Sequence, residues 1–164
     1  IGEDQCMWQP KMEARVLQEL AIKKSERVLE VGTGTGYLTA LLAHRAQHVY
    51  SVEISAELMS LGEKALRAHG IDNVTLEVGD AALGWDKHGP YDVIVITGST
   101  PVLPQGFLNQ MKPGARLFAI VGDPPVMSAR LMSCTSPGSY VSINLFETCF
   151  PPLKNALQPK RFEF

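Results

Sequence analysis

The stretch Val28 to Ala43, VLEVGTGTGYLTALLA, limits what this chain can fold into more than any other, because an apolar run meets a glycine-rich turn and passes straight into helical spacing. Val28 and Leu29 suit a strand buried on both faces. Gly32, Gly34 and Gly36 remove side chains where the backbone turns sharply. Strand, glycine turn and helix N-terminus in that order bring free backbone N–H groups and close backbone approach to one place, which is what a nucleotide-type ligand uses.

The rest of the chain reads as support for that turn. Pro10 suits the first turn of a helix whose Met12, Val16, Leu17 and Leu20 share one face, and polar Lys23 to Arg27 ends it. After the glycine turn, His48 to Val52 predicts a second strand ending at Glu53. Ser55 is placed to cap a helix with the stripe Leu58, Leu61, Ala65 and Leu66, which Gly70 closes. Val74 to Val78 predicts a third strand running into Gly79-Asp80, and a turn-rich segment follows through Trp85, Gly89 and Pro90. Tyr91 to Ile96 reads as a fourth strand, Pro104 to Met111 as a short helix, Lys112-Pro113-Gly114 as a turn and Arg116 to Val121 as a fifth strand. Alternating strands and helices imply parallel crossovers. Ala129 to Thr135 and Tyr140 to Thr148, around Ser136-Pro137-Gly138, then predict an antiparallel finish. The expected fold is therefore α/β, a doubly wound and mostly parallel sheet, and 164 residues suit a single domain. The tail from Leu153 carries no assignable pattern.

Bulk properties narrow the function classes. A formal charge of -2 gives no basic footprint for nucleic acid, and no apolar run approaches a membrane span. Cys6, Cys134 and Cys149 are odd in number, widely spaced and without a CxxC pair, which predicts reduced thiols of a cytoplasmic setting, with one bridge left open. Cys134 and Cys149 fall in the predicted terminal strands, where a small buried thiol is the usual reading. His44 and His48 do not share a helical face, His69 and His88 read as solvent-facing, and no metal site is expected. No Ser-His-Asp or Cys-His pattern is present. The chain opens at Ile1 without an initiator methionine, which suggests a preceding segment.

Three acids carry the chemistry. In an open parallel sheet, ligands bind outside the carboxyl ends of the strands where the order reverses. Glu30 lies near the end of the first strand, Glu53 ends the second and Asp80 ends the third, so the three converge on one edge. Glu53 is placed to accept both ribose hydroxyls of an adenosine, and Asp80 a hydrogen bond from the adenine amino group. Any one of them alone reads equally well as a loop acid or helix cap. A dinucleotide favours GxGxxG and gains nothing from an acid just before the turn; here the pattern is Glu30-Val31-Gly32-Thr33-Gly34-Thr35-Gly36-Tyr37. S-adenosylmethionine has a sulfonium, an ammonium and no phosphate, and suits that pattern better. The absence of GxxxxGK[ST] weighs against a phosphate-cradling ATPase.

Further motifs add a resemblance. VLEVGTGTGYLTALLA, VYSVEI at Val49 to Ile54, VGDAALGW at Val78 to Trp85, YDVIVITGSTPVLP at Tyr91 to Pro104 and LNQMKPGARL at Leu108 to Leu117 resemble, in order, the motifs of the protein-L-isoaspartate O-methyltransferase family. The similarity runs from about Ile1 to Pro152. It implies a seven-stranded Rossmann-like methyltransferase sheet with a C-terminal antiparallel hairpin, and additional helices before Ile1. It also implies S-adenosylmethionine as methyl donor, and an isoaspartyl-containing protein or peptide as acceptor in protein repair. On this reading Glu30, Gly32, Thr33, Gly34, Thr35, Gly36 and Tyr37 hold the cofactor from the turn. Glu53 and Ile54 join them from the second strand, and Asp80 and Ala81 from the third.

The first ten residues depart from the family's IGxGQTISQP. Gly2, Gln5, Gln9 and Pro10 match, but Cys6 stands for the threonine and Trp8 for the serine. An indole cannot donate a hydroxyl hydrogen bond to an acceptor carboxylate, and Trp8 reads either as a packing residue or as filling that pocket. The acceptor-pocket positions are thus Cys6, Trp8, Thr97 and Ser99, the last two on the loop after the fourth strand, as hydroxyl donors or as ordinary loop caps. A carboxylate is already nucleophilic, so alignment and desolvation matter more than a base. Two alternatives stay open: a cofactor-binding paralogue with a small-molecule or other acceptor, or without turnover, and a nucleotide-dependent oxidoreductase. The oligomeric state is not legible.

Overall fold

The computed structural model describes residues 7–159, so Cys6 lies outside the described residues. The elements follow in the order α1 (Pro10–Leu20), β1 (Arg27–Val31), α2 (Tyr37–Arg45), β2 (His48–Glu53), α3 (Ala56–Ala68) and β3 (Val74–Val78). They continue with β4 (Tyr91–Thr100), α4 (Gln105–Leu108), β5 (Met111–Asp123), β6 (Val126–Ser136) and β7 (Ser139–Thr148). The strands form one seven-stranded sheet in the order β3-β2-β1-β4-β5-β6-β7. The pairs from β3 through β5 are parallel, and β6 and β7 join antiparallel. From β1 the chain winds outward through β2 and β3, then returns to the other side of β1 as β4. The order therefore reverses between β1 and β4, which opens a crevice at their carboxyl ends.

Alternation along the central strands divides the core between the two faces of the sheet. Val28, Val49, Val93, Val95, Phe118 and Ile120 pack on one face against Leu17 and Leu20 of α1 and Leu38 and Leu42 of α2. Leu29, Val31, Ile94, Ile96 and Leu117 face the other way and pack with Tyr91 and Phe107. Arg116 of β5 ties the sheet to the end of α1. Its guanidinium donates to Leu20 O at 2.7 and 2.9 Å and pairs through both terminal nitrogens with Glu26 at 2.6 and 2.8 Å. That satisfies a carbonyl that the helix end would leave unpaired.

Several expectations need correction. Leu61 is 52% exposed, and Gly62 takes its place on the inner face of α3. The helix expected at Pro104 to Met111 shrinks to four residues, because the Tyr91 N–H bonds Gln110 O at 2.7 Å and β5 already begins at Met111. β4 extends past Ile96, since Ser99 and Thr100 resume pairing with Ile120 and Val121 beyond an irregularity, so Thr97 and Ser99 lie in a strand. Cys134 is buried in β6, whereas Cys149 is exposed just beyond β7. His88 is half-buried; it stacks on Tyr50 with ring centroids 4.4 Å apart and pairs with Glu77. His69 is exposed, as expected. Among the described residues no helix is long and apolar enough to cross a membrane.

Candidate active site

Close neighbours leave no room for a side chain at Gly32 or Gly36, whereas Gly34 at φ +53° has open space beside it. Gly32 has φ +97°, and a Cβ there would stand 2.2 Å from Thr97 Oγ1. Its N–H donates to Val52 O at 2.7 Å, which stitches the end of β1 to β2. Gly36 occupies the N-cap of α2 at φ +81°, lining neither cavity described below. Gly62 of α3 lets that helix approach the turn, since a Cβ there would meet Gly34 O and Thr33 Cγ2, each at 3.1 Å. Ser55 caps α3 by accepting the Leu58 N–H.

The three acids differ in what they do. Glu53 is 3% exposed; its Oε2 accepts the Gly34 N–H at 3.0 Å and its Oε1 the Ser55 N–H at 3.1 Å. This carboxylate is fixed by backbone at the end of β2. Asp80 is exposed, with Oδ1 accepting the Ala82 N–H at 3.0 Å and Oδ2 the Asn155 side-chain amide at 2.8 Å. Glu30 is fully buried and lines neither cavity, so it sits behind the turn rather than at a ligand surface. Its Oε1 accepts the Ser51 and Thr39 hydroxyls, each at 2.5 Å, and among the described residues its Oε2 has no partner. Because the Ser51 proton goes to Glu30, Thr33 Oγ1 donates to Ser51 Oγ at 2.6 Å, and a chain of hydroxyls links the turn to the buried acid. Burial pushes the Glu30 carboxyl up to about 7, reinforced by the charges of Glu53 and Glu13 and opposed by the Ser51 and Thr39 hydrogen bonds.

Two adjoining cavities share Gly32, Glu53 and Thr97 as a common wall. The larger, about 260 Å³, runs along Ile54, Gly79, Asp80 and Ala81. Its cover is the carboxyl-terminal tail, Phe150 to Lys154. The smaller follows Thr33, Gly34, Thr35 and Tyr37 to Met7, Trp8 and Glu13. Glu53, Ile54, Asp80 and Ala81 are thus brought together with most of the turn along these two cavities.

The acceptor positions are arranged otherwise. Thr97 donates its hydroxyl proton to Val31 O at 2.7 Å, with Gly32 O at 3.2 Å, and Ser99 donates to Phe150 O at 2.7 Å. Both protons are committed to backbone, as in the capping reading of these residues rather than the reading as free hydroxyl donors. Trp8 is 6% exposed and packs edge-on against Phe118 and Phe150, with centroids 5.3 and 6.4 Å away. Among the described residues no group of His, Cys, Asp and Glu is placed to hold a metal.

Two features were missed. The tail is pinned over the larger cavity by Ser99, whose N–H bonds Pro151 O at 3.0 Å and whose carbonyl accepts the Leu153 N–H at 2.8 Å. Nothing periodic in Phe150-Pro151-Pro152-Leu153 announces that pairing. Glu13 is buried on the face of α1 that carries Val16, Leu17 and Leu20. Its signal was present, because 13, 16, 17 and 20 follow the spacing of an apolar stripe with a carboxylate in it.

A parallel sheet in this order, with a glycine turn after β1, an acid closing β2 and a terminal antiparallel hairpin, defines a Rossmann-like methyltransferase domain. A solved protein-L-isoaspartate O-methyltransferase superposes with a TM-score of 0.82 at 28% identity, over 93% of this chain and 50% of its own. A Plasmodium falciparum structure described as a beta-aspartate methyltransferase with S-adenosyl-L-homocysteine shares the fold, with a TM-score of 0.79 at 20% identity over 93% of this chain and 78% of its own. The family model for protein-L-isoaspartate(D-aspartate) O-methyltransferase matches residues 1–158, and the chain belongs to that family. It is 42% identical over 132 residues to a Protochlamydia amoebophila protein-L-isoaspartate O-methyltransferase, covering 80% of this chain and 62% of the relative. It is 36% identical over 155 residues to protein-L-isoaspartate O-methyltransferase 1 of Nitrosospira multiformis, covering 94% and 66%. The chain therefore spans about two thirds or less of the length of these relatives. Family membership leaves the oxidoreductase alternative without support.

Proposed function

We propose that this chain binds S-adenosylmethionine in the crevice at the ends of β1, β2 and β4 and directs its methyl group to the carboxylate of an isoaspartyl residue in damaged protein, in the cytoplasm. The observation that carries the reading is Glu53, a buried carboxylate clamped by two backbone N–H groups that still lines both cavities. Its remaining lone pairs suit the two hydroxyls of a ribose. Gly32 supports the same fit, because its bare backbone forms the shared wall where the two cavities meet.

When bound, the cofactor supplies a methyl group made electrophilic by a sulfonium. Glu53 would hold the ribose, Ile54 and Ala81 would flank the base, and Asp80 would accept from its amino group. The chemistry the cofactor would supply to an acceptor carboxylate oxygen is transfer of that methyl, the carbon–sulfur electron pair remaining with sulfur. The product is a methyl ester. The acceptor is already ionised at neutral pH, so no proton moves and the protein's work is alignment and exclusion of water.

A second reading has its own observation. With the Thr97 and Ser99 protons donated to backbone and Trp8 packed on Phe118 and Phe150, these three positions offer no free hydroxyl to an acceptor carboxylate. That favours another acceptor, a small-molecule carboxylate or hydroxyl, or cofactor binding without turnover. Calorimetric titration with S-adenosylmethionine, followed by transfer of labelled methyl to an isoaspartyl peptide, separates the two. Binding with transfer supports the first reading, binding without transfer the second, and no binding refutes both.

A further inference from the structure

Glu13 is the one acid of the crevice that nothing in the fold explains. It is 4% exposed, in the first turn of α1, on the face where Val16, Leu17 and Leu20 pack against the sheet. Its backbone N–H bonds Gln9 O, but among the described residues no side chain or backbone N–H reaches its carboxylate. It pairs with no cation there either. An unpaired buried carboxylate destabilises a fold, and an apolar residue at this position would pack better. The same side chain lines the smaller cavity together with Gly34, Thr35 and Tyr37.

We propose that Glu13 is the counter-ion for the α-ammonium group of the cofactor's amino-acid end. The inference rests on the S-adenosylmethionine reading above and adds to it the partner of one charged group. The larger cavity holds the acids suited to a nucleoside, Glu53 and Asp80, so the rest of the molecule extends past Gly32 and Thr97 into the smaller one. That end is a zwitterion. Its carboxylate fits the start of α2, where the first backbone N–H groups have no intrahelical partner. Its ammonium needs an anion, and the carboxylates lining the smaller cavity are Glu13 and Glu53. Glu53 already accepts two backbone N–H groups, whereas Glu13 accepts none among the described residues. Burial pushes the Glu13 carboxyl above its usual range, as expected of an acid waiting for a cation.

The test is calorimetric titration of wild type, Glu13→Gln and Glu13→Leu with three ligands. S-adenosylmethionine carries sulfonium and ammonium, S-adenosylhomocysteine only the ammonium, and 5′-methylthioadenosine neither. Loss of a charge-assisted contact weakens both amino-acid-bearing ligands by about tenfold or more in each variant and leaves 5′-methylthioadenosine unchanged. The ligand-free variants keep or raise the thermal midpoint, because a buried unpaired charge has gone. Equal weakening of all three ligands makes Glu13 merely structural, and selective weakening of S-adenosylmethionine assigns it to the sulfonium; either overturns the proposal. Unchanged affinities for all three also overturn it while leaving the cofactor reading intact. Failure of wild type to bind any of them instead removes the cofactor reading itself.

Discussion

Replacing Gly32 by alanine tests the central turn, because the structure separates two costs there. The first is conformational: at φ +97° an L-residue is strained by about 1–3 kcal/mol. The second is a collision, since the new Cβ would stand 2.2 Å from Thr97 Oγ1. Thr97 must rotate away and give up its 2.7 Å bond to Val31 O, a loss of about 1 kcal/mol plus whatever repacking strain remains. Gly32→Ala should therefore cost about 3–4 kcal/mol by urea denaturation, read as a shifted midpoint at unchanged m. Thr97→Ala alone should cost about 1 kcal/mol. In the double variant the collision is gone, because the alanine Cβ at 32 lies 3.5 Å from the Cβ at 97, an ordinary contact. Only the conformational cost and the lost hydrogen bond remain, so the double variant should be more stable than the sum of the singles predicts by about 1–2 kcal/mol. Additivity within about 0.5 kcal/mol would refute the steric half of this reasoning and leave the backbone alone responsible.

Other tests reach other parts of the fold. Burial holds the Glu30 carboxyl at about 7 against an ordinary 4.5, so the folded state binds that proton more tightly than the unfolded chain. Its contribution to stability is complete below about pH 4.5 and is lost as pH rises through about 7; Glu30→Gln should flatten the denaturation midpoint across that window, by up to about 3 kcal/mol. Arg116→Ala should cost about 2–3 kcal/mol, by removing the charged bonds to Glu26 and to Leu20 O. Arg116 also holds the Glu26 carboxyl below its usual range, so the variant should lose less stability than wild type as pH falls through that lowered value. Mass mapping with a thiol reagent under native conditions should find Cys149 modified well before buried Cys134. Trp8→Ser should cost about 3–5 kcal/mol through the void it leaves, and hydrogen exchange should show lower protection of the Leu153 amide as the cover loosens with Phe150.

What the sequence disclosed is what short-range rules govern. The glycines of the turn, the Ser55 cap and the acid closing β2 each follow from conformation or alternation within a few residues, and all three stand where expected. The spacing of Leu58, Leu61, Ala65 and Leu66 points Leu61 inward, although the adjacent glycine is the residue the turn requires close by. Asn109 and Gln110 still donate back to Gln105 O and Phe107 O, yet the helix goes no further because the Gln110 carbonyl and Met111 pair beside Tyr91, which satisfies that backbone in the sheet instead. His88 looked solvent-facing because its partners, Tyr50 and Glu77, lie far away in sequence. The hydroxyls of Thr97 and Ser99 were visible, but where a proton is donated depends on carbonyls that only the folded chain brings near.

The site is assembled from two lengths of chain with different freedom to vary. The half proposed for the cofactor comes from one continuous winding, β1 through the end of β3, in which Glu53 holds the Gly34 N–H and Gly62 packs against Gly34 and Gly36. The other half comes from the two ends, Met7 to Glu13 and Phe150 to Asn155, held to the sheet through Trp8 on Phe118 and Phe150 and through Ser99 on the tail. Those ends meet the turn where the Thr35 hydroxyl donates to Met7 Sδ at 3.7 Å and across the two cavities, and touch Asp80 through Asn155. An exchange such as tryptophan for serine at position 8 therefore alters what can be presented to the methyl group without moving Glu53 or the glycines. It also welds the two ends together, since the same indole that gives up a hydroxyl makes ring contacts to the strand below and the cover above. Restoring serine at that position alone consequently removes a structural tie while returning a donor, and acceptor chemistry has to be compared at matched stability before its loss or gain is assigned to the hydroxyl.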